Sequence, residues 1–314
     1  HEWNGFIPYE HVLKISNPES GFVSSANQHP SDKTYPYYYF SDNYEMYRGR
    51  RLIERIESIE RFDIKDAIKV QNDNFSYKAF ETLPLLLKKT DSSKLKTEEK
   101  KILNSIKNWD YFANPEDTNT STFVIWWNKI HEKLWDEFDT MKYSYRKPDS
   151  YTTYSLINNY DDLEFYDNLN TDKIETIDEI ILLSFKETVD SLNAWKKSNN
   201  KDIIRWKEFK NTTIKHLLGL ESFSFPNVDV GGDRNIINAA SERHGPSWRM
   251  IVKLNRDKKT EAWGVYPGGQ SGNPGNSNYF EGIENWGKGK YKKLLFNNNL
   301  IDNRSKIIFE KTFK

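Results

Sequence analysis

Between Asp63 and Val189 apolar residues recur at helical spacing, whereas after Phe225-Pro226 they alternate; this change of period most constrains the fold. Helical and strand-like tracts that follow one another, instead of interleaving, point to the α+β class. Ser41 or Asp42 is the expected N-cap of a helix running to about Phe62, with Leu52, Ile56 and Ile59 on one face. Asp63 opens a short helix through Ile64, Ala67 and Ile68, and Ser76 opens another through Phe80, Leu83 and Leu86 that Pro84 must bend or end. Further stripes follow at Ile102, Leu103, Ile106 and Trp109, and at Trp127, Ile130, Leu134 and Phe138, the latter widened by Trp126 and Trp135. Met141 to Asp172 reads as a long irregular connection. Thr176 then caps a helix carrying Ile180, Ile181, Leu183, Phe185 and Val189.

The strand-like tract is a hairpin with one buried face: Trp248, Met250, Val252 and Leu254 alternate with Arg249, Ile251 and Lys253, and Trp263 and Val265 follow a polar turn at Asn255 to Lys259. Gly268, Gly269, Gly272 and Gly275 form a flexible loop, and a last short helix or strand begins near Trp286. From His1 to about Phe40 short runs are punctuated by Pro8, Pro18, Pro30 and Pro36, as in loops and a sheet edge. The expected organisation is therefore residues 1–41, a mostly helical region 42–225, and a C-terminal part 226–314.

Composition narrows the function classes. Mean hydropathy is −0.84 while aromatics reach 15%, so burial leans on Trp, Tyr and Phe. Basic and acidic residues both number 46, and this balance argues against a nucleic-acid or anionic-membrane partner. Without cysteine there is no disulfide, thiolate nucleophile or Cys-ligated metal. The longest apolar runs, such as Ile180 to Leu183, fall far short of the about 20 residues a membrane span needs. The six histidines are scattered, with no H-x-x-x-H pair for a transition metal, and a lone His244 before a strand is more often structural than a proton carrier. The Gly268 loop lacks phosphate-loop spacing, and no helix pattern opens after it.

Asn27 is the leading site residue. It ends a strand-like run after an Asn17-Pro18-x-x-Gly21 turn, and a neutral amide donor suits the oxyanion of acyl transfer because it brings no competing base. The plain alternative is a turn Asn. Arg48 follows 21 residues later, with Arg50 and Arg51 as rivals for the same role; otherwise this is a basic helix surface paired with Glu54. Tyr35 to Phe40 is suited to lining an apolar cleft or to packing against another segment.

These motifs together resemble the penicillin amidase family of N-terminal-nucleophile hydrolases. The resemblance rests on Trp3-Asn4-Gly5-Phe6-Ile7-Pro8-Tyr9, on Asn17 to Pro30, on Tyr47 to Leu52, and on Gly231 to Leu254 and Val265 to Tyr279. It implies a share of an αββα four-layer core, with a helical middle and a β-rich C-terminal part. It implies an oxyanion-hole role for Asn27 and an ordering role for Arg48. The activity implied is hydrolysis of a small acyl-amide substrate through an acyl-enzyme, in a periplasmic or exported setting. His1 is no hydroxyl nucleophile, and Gly-Ser, Gly-Thr and Gly-Cys junctions do not occur. The expectation is a C-terminal portion of the large chain, inactive alone and partnered by the N-terminal part of the same precursor. No cofactor is required. A structural calcium is held in many members by an acidic residue between the Asn and Arg motifs; here that stretch is aromatic, with Asp42 nearby. The rivals are an aromatic-rich glycan-binding module and a scaffold that has lost catalysis.

Overall fold

The computed structural model describes residues 5–32, 34–37, 46–243, 245–256 and 260–294. Residues 5–32 and 34–37 are irregular, with one 3-10 turn at Tyr9–His11. The strand-like run toward Ala26 pairs with no neighbour among the described residues, and Val23 is 66% exposed. Extended backbone becomes a strand only where another strand satisfies its N–H and C=O groups.

Helix α1 covers Tyr47–Glu57 and α2 covers Ile64–Gln71. The expected caps Ser41 and Asp42 lie outside the described residues. α1 stops short of Phe62 because Asp63 starts a new helix: its carboxylate accepts from Lys65 N and Asp66 N, and Asp66 returns the bond to Asp63 N. α3, Tyr77–Lys89, runs unbroken through Pro84, whose missing N–H does not end it. Its N-cap is Ser76, buried, with Oγ accepting from Ala79 N at 3.2 Å. Replacing Ser76 by Ala should cost about 1 kcal/mol, read as a lower urea midpoint at unchanged slope.

α4 (Thr97–Lys107), α5 (Thr120–Leu134), the short α6 (Glu137–Thr140) and α8 (Ile177–Asn199) surround the larger core. Between α6 and α8 the expected irregular connection contains α7, Ser150–Asn159. It buries only Thr153 and Ile157, and so carries almost no apolar period; Asp149 caps it by accepting from Thr152 N at 2.7 Å. Thr176 caps α8 reciprocally with Glu179, and of its paired leucines Leu182 is buried while Leu183 is 37% exposed. α5 lies along α8, with Trp126 and Phe185 fully buried at a ring separation of 4.8 Å.

α9 (Trp206–Lys210) leads to a second core of Val228, Val230, Ala240, Val265, Ile283 and Trp286. Strands β1 (Arg249–Lys253), β2 (Glu261–Val265) and β3 (Lys292–Lys293) form one antiparallel sheet in that order, with Ile251 opposite Trp263. The hairpin's apolar row is the outer one: Trp248, Met250, Val252 and Leu254 are 44–80% exposed, whereas Arg249 and Ile251 are buried. Trp248 lies over Gly264, where an added Cβ would stand 2.4 Å from the indole. Helix α10, Glu281–Gly287, opens after the Gly-rich loop, earlier than expected, and Trp286 closes it. Its first turn carries Glu281 and Glu284, which disfavour a phosphate there. The described chain is thus mainly helical with one small sheet, an α+β arrangement.

Candidate active site

Asn27 has φ +65°, a left-handed conformation that Asn tolerates better than most residues. It is exposed, and the chain around it is fixed by Gln28. The Gln28 carboxamide accepts from Ala26 N at 2.6 Å, and its side chain packs on Gly49 of α1, where a Cβ would approach within 3.2 Å. Gly49 therefore lets the Asn27 segment lie directly on the helix.

The contact between the two predicted residues follows from this packing. Arg48 Nη2 donates to Asn27 Oδ1 at 3.0 Å. A guanidinium can only donate, so the oxygen of the Asn27 carboxamide must face it. The two Nδ2 hydrogens then point away from Arg48. A cation on the oxygen also polarises the amide and strengthens those donors.

The rival arginines of α1 face other partners. Arg51 donates through Nε and Nη2 to Asp73 Oδ2 at 3.1 and 2.9 Å, and through Nη1 to Glu54. Arg55 Nε stands 3.4 Å from the same Asp73 oxygen. Arg50 pairs with Glu81 and lies over the Tyr77 ring at 4.6 Å. Burial acts to lower its pKa, but the Glu81 carboxylate more than offsets this and holds it above the ordinary value.

Of the aromatic run, Tyr35 and Tyr37 are described; Tyr38, Tyr39 and Phe40 lie outside the described residues. Tyr35 Oη donates to His11 O at 2.9 Å, and Tyr37 Oη hydrogen-bonds the His11 ring, so both tie the N-terminal segment to itself. His244 and Asp42 are also outside the described residues. Among the described residues no three His, Asp or Glu side chains gather to hold a metal. Asp32, the described acid between Asn27 and Arg48, accepts from Thr34 N and Oγ1, which lowers its pKa.

Two features had no counterpart in the sequence reading. Lys210 is buried and donates to the carbonyls of Gly231, Gly232 and Ala240 at 2.8–3.1 Å, holding the glycine-rich turn before Asp233; burial pushes its pKa down to about 7. Arg249 is 3% exposed and donates to Asn72 Oδ1, Asn238 Oδ1 and Trp286 O, with burial as the main influence lowering its pKa. A cavity of about 670 Å³ opens between α5, α9 and residues 233–243, and none of its lining residues belongs to α1 or the Asn27 segment.

The chain is similar to several known proteins. The family model described as penicillin amidase matches residues 1–303. Penicillin acylase 2 proenzyme of Pseudomonas sp. strain SE83 is 32% identical over 76 residues, 24% of this chain and 10% of that protein. Acyl-homoserine lactone acylase QuiP of Pseudomonas fluorescens is 37% identical over 75 residues, 21% of this chain and 9% of that protein. A thermostable penicillin G acylase from Alcaligenes faecalis superposes with a TM-score of 0.57 at 14% identity, over 100% of this chain and 60% of its own, a likeness of fold.

Proposed function

Because this chain belongs to the penicillin amidase family, which its match over residues 1–303 shows, we propose that it forms part of an acylase that hydrolyses N-acyl amides. The observation that carries the reading is the 3.0 Å bond from Arg48 to Asn27 Oδ1, which leaves the Asn27 amide hydrogens as outward donors. In the proposed reaction a serine hydroxyl from outside residues 1–314, freed as a chain N-terminus, attacks the substrate carbonyl, and its own α-amine takes the proton. The carbonyl oxygen becomes an oxyanion, which Asn27 Nδ2 meets as a donor. The C–N bond breaks, the amine leaves with the proton, and water hydrolyses the remaining acyl ester. Arg48 is a positioning residue that fixes which end of the amide faces the reaction.

This chain spans 60% of the length of the structure it resembles. The remaining precursor would complete the αββα core, in a periplasmic or exported protein. The substrate proposed is an acyl amide, in keeping with relatives named as a penicillin acylase and an acyl-homoserine lactone acylase. The glycan-binding alternative has fewer aromatic platforms than the composition suggests, since Trp109, Trp126, Trp127, Trp135, Trp206 and Trp286 are at most 5% exposed while Trp248 is 46% exposed.

The test is to express the complete protein, follow self-cleavage by mass spectrometry, and screen aromatic and alkyl acyl amides for carboxylic-acid release. In that assay Arg48→Lys should lower kcat about tenfold with KM within about twofold, because an ammonium keeps the charge but loses the planar donor fork. Turnover absent from a correctly cleaved protein would favour the scaffold reading.

A further inference from the structure

We propose that Asp73 is a positioning residue for the Asn27–Arg48 pair, setting the rotation of α1 from the far end of the helix stripe that carries Arg48. The proposal rests on the acylase reading above and adds a residue to it.

Arg48, Arg51 and Arg55 stand at i, i+3 and i+7, and so share one stripe of α1. The far end of that stripe is held by one carboxylate. Asp73 Oδ2 accepts from Arg51 Nε and Nη2 and faces Arg55 at 3.4 Å, while Oδ1 accepts from Phe75 N at 2.8 Å. The Asp73 side chain is 5% exposed and that of Arg51 is 11% exposed, so water screens this contact little. Arg51 also lies 4.2 Å from the Phe75 ring centre. Any rotation of α1 that lifted Arg51 off Asp73 would swing Arg48 off Asn27 in the same sense.

Asp73 is itself fixed from the C-terminal half. Its carbonyl accepts from Asn238 N at 3.1 Å, and its neighbours continue the connection. Asn72 Oδ1 accepts from buried Arg249 at 2.9 Å, and Asn74 Oδ1 accepts from Asn238 Nδ2 at 2.8 Å. The tripeptide Asn72-Asp73-Asn74 thus links the loop at Asn238 and strand β1 to the helix that aims Arg48. Helix α1 thus meets the Asp73 carboxylate, and the loop at Asn238 meets the Asp73 carbonyl.

The test is a double-mutant cycle in the complete processed protein, measuring kcat and KM for one acyl amide with Asp73→Asn, Arg48→Lys and both. Asp73→Asn should lower kcat about tenfold with KM within about twofold. In the Arg48→Lys background it should cost less than about threefold further, because both changes loosen one contact. Asp73→Glu should recover part of the rate. Losses that multiply, or an unchanged kcat, would overturn the role. If Asp73→Asn does not fold, Arg51→Lys takes its place in the same cycle with the same expectations. Turnover lowered by Asn27→Ala but insensitive to Asp73 would defeat this proposal alone; no wild-type turnover would defeat the acylase reading on which it rests.

Discussion

Asn27→Asp in the complete protein is expected to lower kcat by about 10²- to 10³-fold, the loss that follows removal of one oxyanion donor, roughly 3 to 4 kcal/mol. The substitution isolates chemistry from folding. Asp accepts the left-handed conformation that Asn27 adopts at φ +65°, and a carboxylate still pairs with Arg48. What changes is the other oxygen, which replaces two N–H donors with an acceptor of negative charge. KM should move much less than kcat, because the lost bond tightens only as the oxyanion forms. An Asn27→Asp enzyme with wild-type kcat would mean that Asn27 is a turn residue.

Trp126→Ala is expected to cost about 3–5 kcal/mol of stability, enough to remove much of the margin of a typical domain. The indole is fully buried, meets Phe185 at 4.8 Å, and donates from Nε1 to Ile181 O at 3.0 Å. Alanine leaves a cavity between α5 and α8 and removes the extra donor to that carbonyl. The measurement is the thermal midpoint together with kcat of the protein that remains folded. The midpoint should fall steeply while kcat per folded molecule stays near wild type, since the core cluster around the indole includes no residue of α1 or of the Asn27 segment. A loss of kcat in fully folded protein would show that the helical core acts on the site directly.

The helices of the middle region were largely legible, because their signals are local. Ser76, Asp63 and Thr176 each announce a helix start through a side chain that bonds two or three residues ahead. α7 was hidden because its burial rests on Thr153 and Ile157 alone, with Trp135 Nε1 donating to Thr153 Oγ1. The hairpin was legible but its inward face was not, since alternation does not say which row is buried. Arg249 is the inward residue, and its acceptors come from Asn72, Asn238 and Trp286, one of them 177 positions away. At the site, Asn27 and Arg48 stood out through motif likeness, but three arginines competed for one role. Partners on other elements separate them: Asp73 takes Arg51, Glu81 takes Arg50, and Gln28 packed on Gly49 brings Asn27 to Arg48. Such assignments depend on tertiary packing and cannot be read from spacing.

The most direct measurement of the central claim is a crystal structure of the complete, processed protein with a tetrahedral phosphonate ester bound covalently to its nucleophile. The account predicts Asn27 Nδ2 about 2.7–3.1 Å from the phosphonyl oxygen that mimics the oxyanion, with Arg48 still on Oδ1. An Asn27 amide more than about 4 Å from that oxygen, beyond hydrogen-bond reach, or turned with Oδ1 toward it, would contradict the account.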